Sequence, residues 1–157
     1  MRSDDWPAVR EIYREGIATG NATFETELPD WQKWDSGHCQ DCRLIACEGE
    51  KVLGWAALSP VSGRRVYSGL AEVSVYVATV ARGSGIGKAL PKALIEESER
   101  HEIWTLQAGI FPENIASIAL HKTLGFREVG IRKRIGKLGR VWRDVLLLER
   151  RSSTVGI

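Results

Sequence analysis

Apolar and polar positions alternate between two periods along this 157-residue chain. Val9, Ile12, Tyr13 and Ile17 recur at helical spacing, with Pro7 in the first turn and Gly16 or Gly20 as the stop. Asn21 to Pro29 reads as a loop, and a short helix follows around Trp31 and Trp34. Arg43–Cys47 and Val52–Ser59 are strand-like runs around Glu48-Gly49-Glu50-Lys51, which predicts a hairpin. Pro60 to Gly69 is a polar loop, and Glu72–Val77 alternates as a strand. A helix is predicted from the following glycine-rich turn to about Arg100, with Pro91 costing it on the order of 3 kcal/mol if uncompensated. Ile103–Ile110 reads as a strand, and Asn114–Leu124 as a helix closed by Gly125. Ile131–Arg134 and Val141–Leu148 form a final hairpin around Gly136-Lys137-Leu138-Gly139. The order predicts an α/β sandwich on a mixed sheet, in one domain over residues 1–157 with 152–157 as a flexible tail.

Composition narrows the classes. Hydrophobic residues make up 43% and charged residues 27%, as in a soluble globular protein. No run approaches the roughly 20 apolar residues of a membrane span, and the first residues lack the apolar core of a signal peptide. The odd count of three cysteines makes no disulfide framework, and a reducing cytoplasm is expected. Cys39 and Cys42 form a C-x-x-C after His38, but no second Cys/His pair completes a zinc site. It reads as a loop, and no metal is expected. Net charge is +2, unevenly placed: nine bases face three acids over residues 127–151. Only Trp142 interleaves with those bases, which argues against nucleic acid as a partner.

The chemistry concentrates at Arg82-Gly83-Ser84-Gly85-Ile86-Gly87-Lys88, between the Glu72–Val77 strand and a helix. Strand, glycine turn and helix start present backbone N–H groups and a positive helix end to an anion. Ala89 stands where a Walker A loop needs Ser or Thr. The glycine spacing does not fit a dinucleotide fingerprint. The pattern that fits is R-x-x-G-x-G after a strand. In this it resembles the GNAT superfamily of N-acetyltransferases, whose loop holds the pyrophosphate of acetyl-CoA.

The resemblance runs from Asp5 to about Arg151 and is closest to the phosphinothricin acetyltransferase branch. It is carried by Thr23-Phe24-Glu25-Thr26, by Glu72-Val73-Ser74-Val75-Tyr76-Val77, by Leu120-His121-Lys122-Thr123-Leu124-Gly125-Phe126 and by Gly136–Val145. It implies a mixed, mostly antiparallel sheet flanked by helices. Relatives open with a strand before the first helix, and here that strand is expected to be short or missing. It implies acetyl-CoA as co-substrate, a small-molecule amine as acceptor and a homodimer built by the last hairpin.

Residue by residue, the resemblance makes Glu72 the proposed base and His121 the group that polarises the thioester or protonates the thiolate. Val75, Tyr76 and Val77 offer backbone to the pantetheine, the Tyr76 ring reading as core. The Arg82–Lys88 loop (Arg82, Gly83, Ser84, Gly85, Ile86, Gly87, Lys88) holds the pyrophosphate. Asn114 serves as helix N-cap, pantetheine contact or both. Arg64 and Arg65 precede the Glu72 strand, and a guanidinium suits an acidic group on the acceptor. Tyr67, Phe24 and Glu25 are further acceptor-pocket candidates. The expected reaction is acetyl transfer by direct attack onto the α-amine of an amino acid analogue such as phosphinothricin, methionine sulfoximine or methionine sulfone. The rival readings are another amine on the same fold, or a CoA-binding protein without catalysis.

Overall fold

The computed structural model describes residues Met1–Ile157. Six strands form one sheet: β1 (Arg43–Glu48), β2 (Lys51–Pro60), β3 (Leu70–Val77), β4 (Thr105–Ile110), β5 (Arg127–Leu138) and β6 (Val141–Arg151). Their order is β1-β2-β3-β4-β6-β5. Every neighbouring pair is antiparallel except β3 with β4. The helices are α1 (Trp6–Ala18), α2 (Trp31–Ser36), α3 (Ile86–Arg100) and α4 (Ile115–Thr123).

Strand alternation builds a core on each face. Ala56 and Leu58 of β2 join Leu90, Leu94 and Ile95 of α3, while Trp55 and Ala57 face Trp6, Val9, Ile12 and Tyr13 of α1. No strand precedes α1. The chain opens on a 3-10 turn, Ser3–Asp5, and the Met1 amine donates to Arg43 O at 3.2 Å.

Gly16 does not end α1. A Cβ there would lie 2.5 Å from the Tyr76 ring, so the glycine lets helix and strand approach, and Gly20 with φ 63° follows the helix end. Pro91 sits within α3 without interrupting it, and its ring is buried in the core. The expected tail is held: Arg151 donates to Val155 O at 2.9 Å and also to Gly156 O, and Gly156 packs on Trp104.

The C-x-x-C segment is organised by the buried Arg43. Its guanidinium bonds the Cys39 carbonyl at 2.6 Å, the Asp35 and His38 carbonyls, and the Asp35 carboxylate. Burial pushes the Cys42 thiol up to about 12 and raises Cys39 too, so both are neutral thiols.

Candidate active site

The site opens where the sheet parts. β3 and β4 pair only over Leu70↔Thr105, Ala71↔Leu106 and Glu72↔Gln107. Beyond that rung β3 stays with β2 to Val77, while β4 stays with β6 to Ile110. The gap holds a cavity of about 230 Å³, lined by Glu72, Ser74, Val75 and Tyr76 on one side and by Ala108, Gly109 and Ile110 on the other.

Backbone polarity in the gap follows from one bond. Ala78 N–H donates to Leu53 O at 2.8 Å, so Ala78 faces β2. Alternate residues of a strand turn the same way, so Tyr76 and Ser74 pair with Trp55 and Ala57. Val75 and Val77 therefore turn their N–H and C=O into the gap, beyond the last rung shared with β4.

Glu72 stands at the last shared rung and lines the cavity, accepting from Gln107 Nε2 at 2.7 Å. His121 is 4% exposed on α4. Its Nδ1 donates to Ser117 O at 2.8 Å, and its Nε2 is buried without a partner. Burial pushes its pKa below the ordinary 6.5, so the imidazole is neutral. With the proton on Nδ1, Nε2 carries a lone pair. The resting ring accepts at Nε2, so any proton it gives from that atom must first be taken up there.

A second cavity of about 380 Å³ is lined by Val75, Tyr76, Val77, Arg82, Gly87, Asn114 and Leu120. Asn21, Ala22, Val75, Tyr76, Asn114, Ser117 and His121 line both spaces. The second leads to the anion loop. Gly83 and Gly85 have φ of 77° and 90°, a region open to glycine. Ser84 N–H bonds Ala81 O, and Lys88 and Ala89 N–H bond Gly85 O. The N–H groups of Gly83, Gly85, Ile86 and Gly87 take no acceptor within the chain. They cluster at the α3 N-terminus, where the helix dipole adds positive potential. The Ser84 hydroxyl turns back to Ala81 O.

Asn114 takes two tasks. Its Oδ1 caps α4 by accepting from Ser117 N–H at 3.2 Å, and its Nδ2 donates to Asn21 O at 3.3 Å. Tyr76 is both core and lining. Its ring stacks on Trp55 at 4.7 Å and packs on Tyr13 at 4.9 Å, and burial raises its phenol pKa.

Phe24 lines the first cavity and packs edge-on to Phe111 at 4.9 Å, whereas Glu25 is exposed and outside the lining. Arg64, Arg65 and Tyr67 are not brought to the cavity. Arg65 and Tyr67 lie in an exposed 3-10 turn that Arg64 precedes, with Arg64 stacked 5.4 Å from the Tyr67 ring. Glu72 is the one charged side chain in the lining.

Two residues went unnoticed in the sequence. Gln107 is the lone amide in an apolar strand, a signal that was legible. Arg143 lies 3.9 Å over the Phe111 ring and bonds Gly20 O, Asn21 Oδ1 and Glu113. It ties the segment after α1 to the hairpin, and no local pattern marks it.

The sheet split, the free N–H cluster and the buried imidazole agree with the family match. The model of the Acetyltransferase (GNAT) family covers residues 6–126. The chain belongs to the GNAT acetyltransferase family. A phosphinothricin N-acetyltransferase of Alcaligenes faecalis is 35% identical, over 96% of this chain and 79% of that protein. A ribosomal-protein-alanine N-acetyltransferase from Brucella melitensis superposes with a TM-score of 0.90 at 34% identity, over 97% of each chain. A phosphinothricin acetyltransferase from Sinorhizobium meliloti, solved with acetyl-CoA, gives a TM-score of 0.86 at 32% identity, over 99% of this chain and 88% of that one. Within the GNAT family, the chain is accordingly an N-acetyltransferase.

Proposed function

We propose that this GNAT enzyme, acting as one domain, transfers the acetyl group of acetyl-CoA to the α-amine of a small acidic amino acid analogue of the phosphinothricin type, by direct attack with both substrates bound. The observation that carries the reading is that two cavities meet at the strand split. One is lined by Glu72, the other by Arg82 and Gly87 of the anion loop, and His121 lines both.

Acetyl-CoA supplies the activated acyl group. The four free N–H groups of the Gly83–Gly87 segment hold its pyrophosphate, with Arg82 and Lys88 adding charge. The exposed backbone of Val75 and Val77 orders the pantetheine as an extra strand would, and Asn114 lies along the same channel. The Val75 N–H is placed to bind the developing oxyanion. Glu72 takes the ammonium proton, directly or through water. On attack the amine nitrogen gains positive charge and must shed a second proton. His121 Nε2 receives it and returns it to the departing sulfur, so the imidazole ends neutral as it began.

The first test is thiol release from acetyl-CoA across phosphinothricin, methionine sulfoximine, methionine sulfone, glutamate, spermidine and an alanine-starting peptide. Release with the phosphinic and sulfoximine amino acids is expected. Glu72→Gln should lower kcat on the order of 10²- to 10⁴-fold with acetyl-CoA affinity unchanged. Unchanged turnover would remove Glu72 as base.

One observation favours a second reading. Arg64 and Arg65 stand outside a lining whose one charge is Glu72, which suits an amine with no acidic group beside it, such as a peptide N-terminus. Arg64→Gln discriminates. If Arg64 binds the acceptor's acidic group, the KM for phosphinothricin rises roughly tenfold or more, as expected for losing a charged hydrogen bond. An unmoved KM favours the acceptor without an acidic group.

The proposal includes a homodimer through the β5–β6 hairpin, which exposes Val129, Ile131, Val141 and Trp142. It places the enzyme in the cytoplasm, in keeping with its three unpaired thiols. No helix is long and apolar enough to cross a membrane.

A further inference from the structure

Glu72 is not free to adopt any rotamer. It occupies the last rung at which β3 and β4 are paired, opposite Gln107. In a parallel pair, opposed residues project to the same face, so the two side chains are neighbours. Gln107 Nε2 donates to Glu72 Oε2 at 2.7 Å. No other side chain or backbone group bonds that carboxylate, and the cavity is lined by Glu72 but not by Gln107. The amide therefore holds one carboxylate oxygen, and the second makes no bond within the chain. One rung further along β3 the strands have separated, and β4 offers no residue to do this for Ser74.

We propose that Gln107 is a positioning residue for the acetyl transfer, fixing the Glu72 carboxylate so that its free oxygen meets the acceptor amine. The inference rests on the reading of Glu72 as base. An amide suits the task better than the alternatives. A Lys or Arg at 107 would hold Glu72 as a tight ion pair and compete with the acceptor's ammonium for it. An apolar residue would leave the carboxylate to rotate, and a catalytic group misplaced by about 1 Å loses on the order of 10²-fold in rate. The neighbours do not supply a substitute. Ser59 opposes Glu72 on β2, Glu149 opposes Gln107 on β6 and is paired with Arg127 at 2.6 Å, and His121 across the cavity is held by Ser117.

The test is a double-mutant cycle on kcat, with acetyl-CoA affinity and melting temperature measured for each protein. Gln107→Leu is expected to lower kcat on the order of tenfold, leaving acetyl-CoA affinity unchanged. In a Glu72→Gln background the same change should do nothing further, because there is no base left to position. A purely structural amide would give equal effects in both backgrounds, together with a drop in melting temperature, and that result overturns the proposal. A large loss from Glu72→Gln with none from Gln107→Leu also overturns it while leaving Glu72 as base. A silent Glu72→Gln overturns both. Should Gln107→Leu not fold, Gln107→Asn keeps a polar amide at the rung but is one methylene short of Glu72, and the same comparison applies.

Discussion

His121 shows how one hydrogen bond assigns a role. A carbonyl can only accept, so Ser117 O requires the proton on Nδ1 and leaves Nε2 bare. Burial then lowers the pKa of the imidazole, because the charged form loses water and gains no partner at Nε2. The sign for stability follows. The folded pKa lies below the ordinary 6.5, so the unfolded chain binds the proton first as pH falls. Stability is therefore full above about pH 6.5 and declines below it, until pH reaches the folded pKa. His38, also pushed down by burial, works in the same direction. Denaturant melts between pH 8 and pH 5 should show this loss, and His121→Gln should reduce its slope without abolishing it. Turnover should hold through that window and fall only as pH approaches the folded pKa, since an imidazolium has no lone pair to receive the amine proton. An acid-side slope identical in His121→Gln and the parent would remove the buried imidazole from this account.

At the scale of elements, two glycines do what no side chain could. Gly16 brings α1 onto the Tyr76 ring, and Gly85 takes φ 90° to start α3. Gly16→Ala must displace Tyr76, which lines both cavities, and should cost about 1–3 kcal/mol as an overpacked contact. Gly85→Ala strains the loop and should weaken acetyl-CoA on the order of tenfold by calorimetry, a backbone cost of about 1–2 kcal/mol. Equal acetyl-CoA affinity for Gly85→Ala and the parent would mean that the loop does not hold the phosphates. These positions also mark what a linear reading reaches. The anion loop was legible because glycine spacing and a strand-to-helix switch are local. The choice between Gly16 and Gly20 as the helix stop was not legible, because the partner of Gly16, Tyr76, is 60 residues away. The last hairpin was underestimated for a similar reason. Its first strand begins at Arg127, and a bulge between Arg132 and Gly136, with Arg134 at φ 49° bonding Asp144, breaks the alternation that would have revealed it. Arg64 is expected in the acceptor pocket from the resemblance, which does not say which way the loop before the Arg65–Tyr67 turn faces.

Across the whole molecule, the β5–β6 hairpin is the feature that the monomer leaves unfinished. β5 is an edge strand of twelve residues, with open hydrogen-bonding groups along its outer side. Val129, Ile131, Ile135, Val141 and Trp142 are all more than 40% exposed, which concentrates exposed apolar side chains on this hairpin. Arg132, Lys133, Arg134, Lys137 and Arg140 lie among them. In a two-fold dimer the same patch meets itself, so these bases would face one another. Apolar burial must then outweigh like-charge repulsion, and the two respond oppositely to salt. Raising ionic strength from 0.1 M to 1 M shortens the screening length from about 10 Å to about 3 Å, weakening only the repulsion. The dimer should therefore tighten with salt, measured by sedimentation or light scattering across dilution. Ile131→Asp, placing a charge among these apolar side chains, should shift the protein to monomer while acetyl-CoA still binds, because the anion loop lies on α3 and not on the hairpin. A dimer that loosens in salt would point to ion pairing instead, and a protein monomeric at all concentrations would remove the hairpin as an interface.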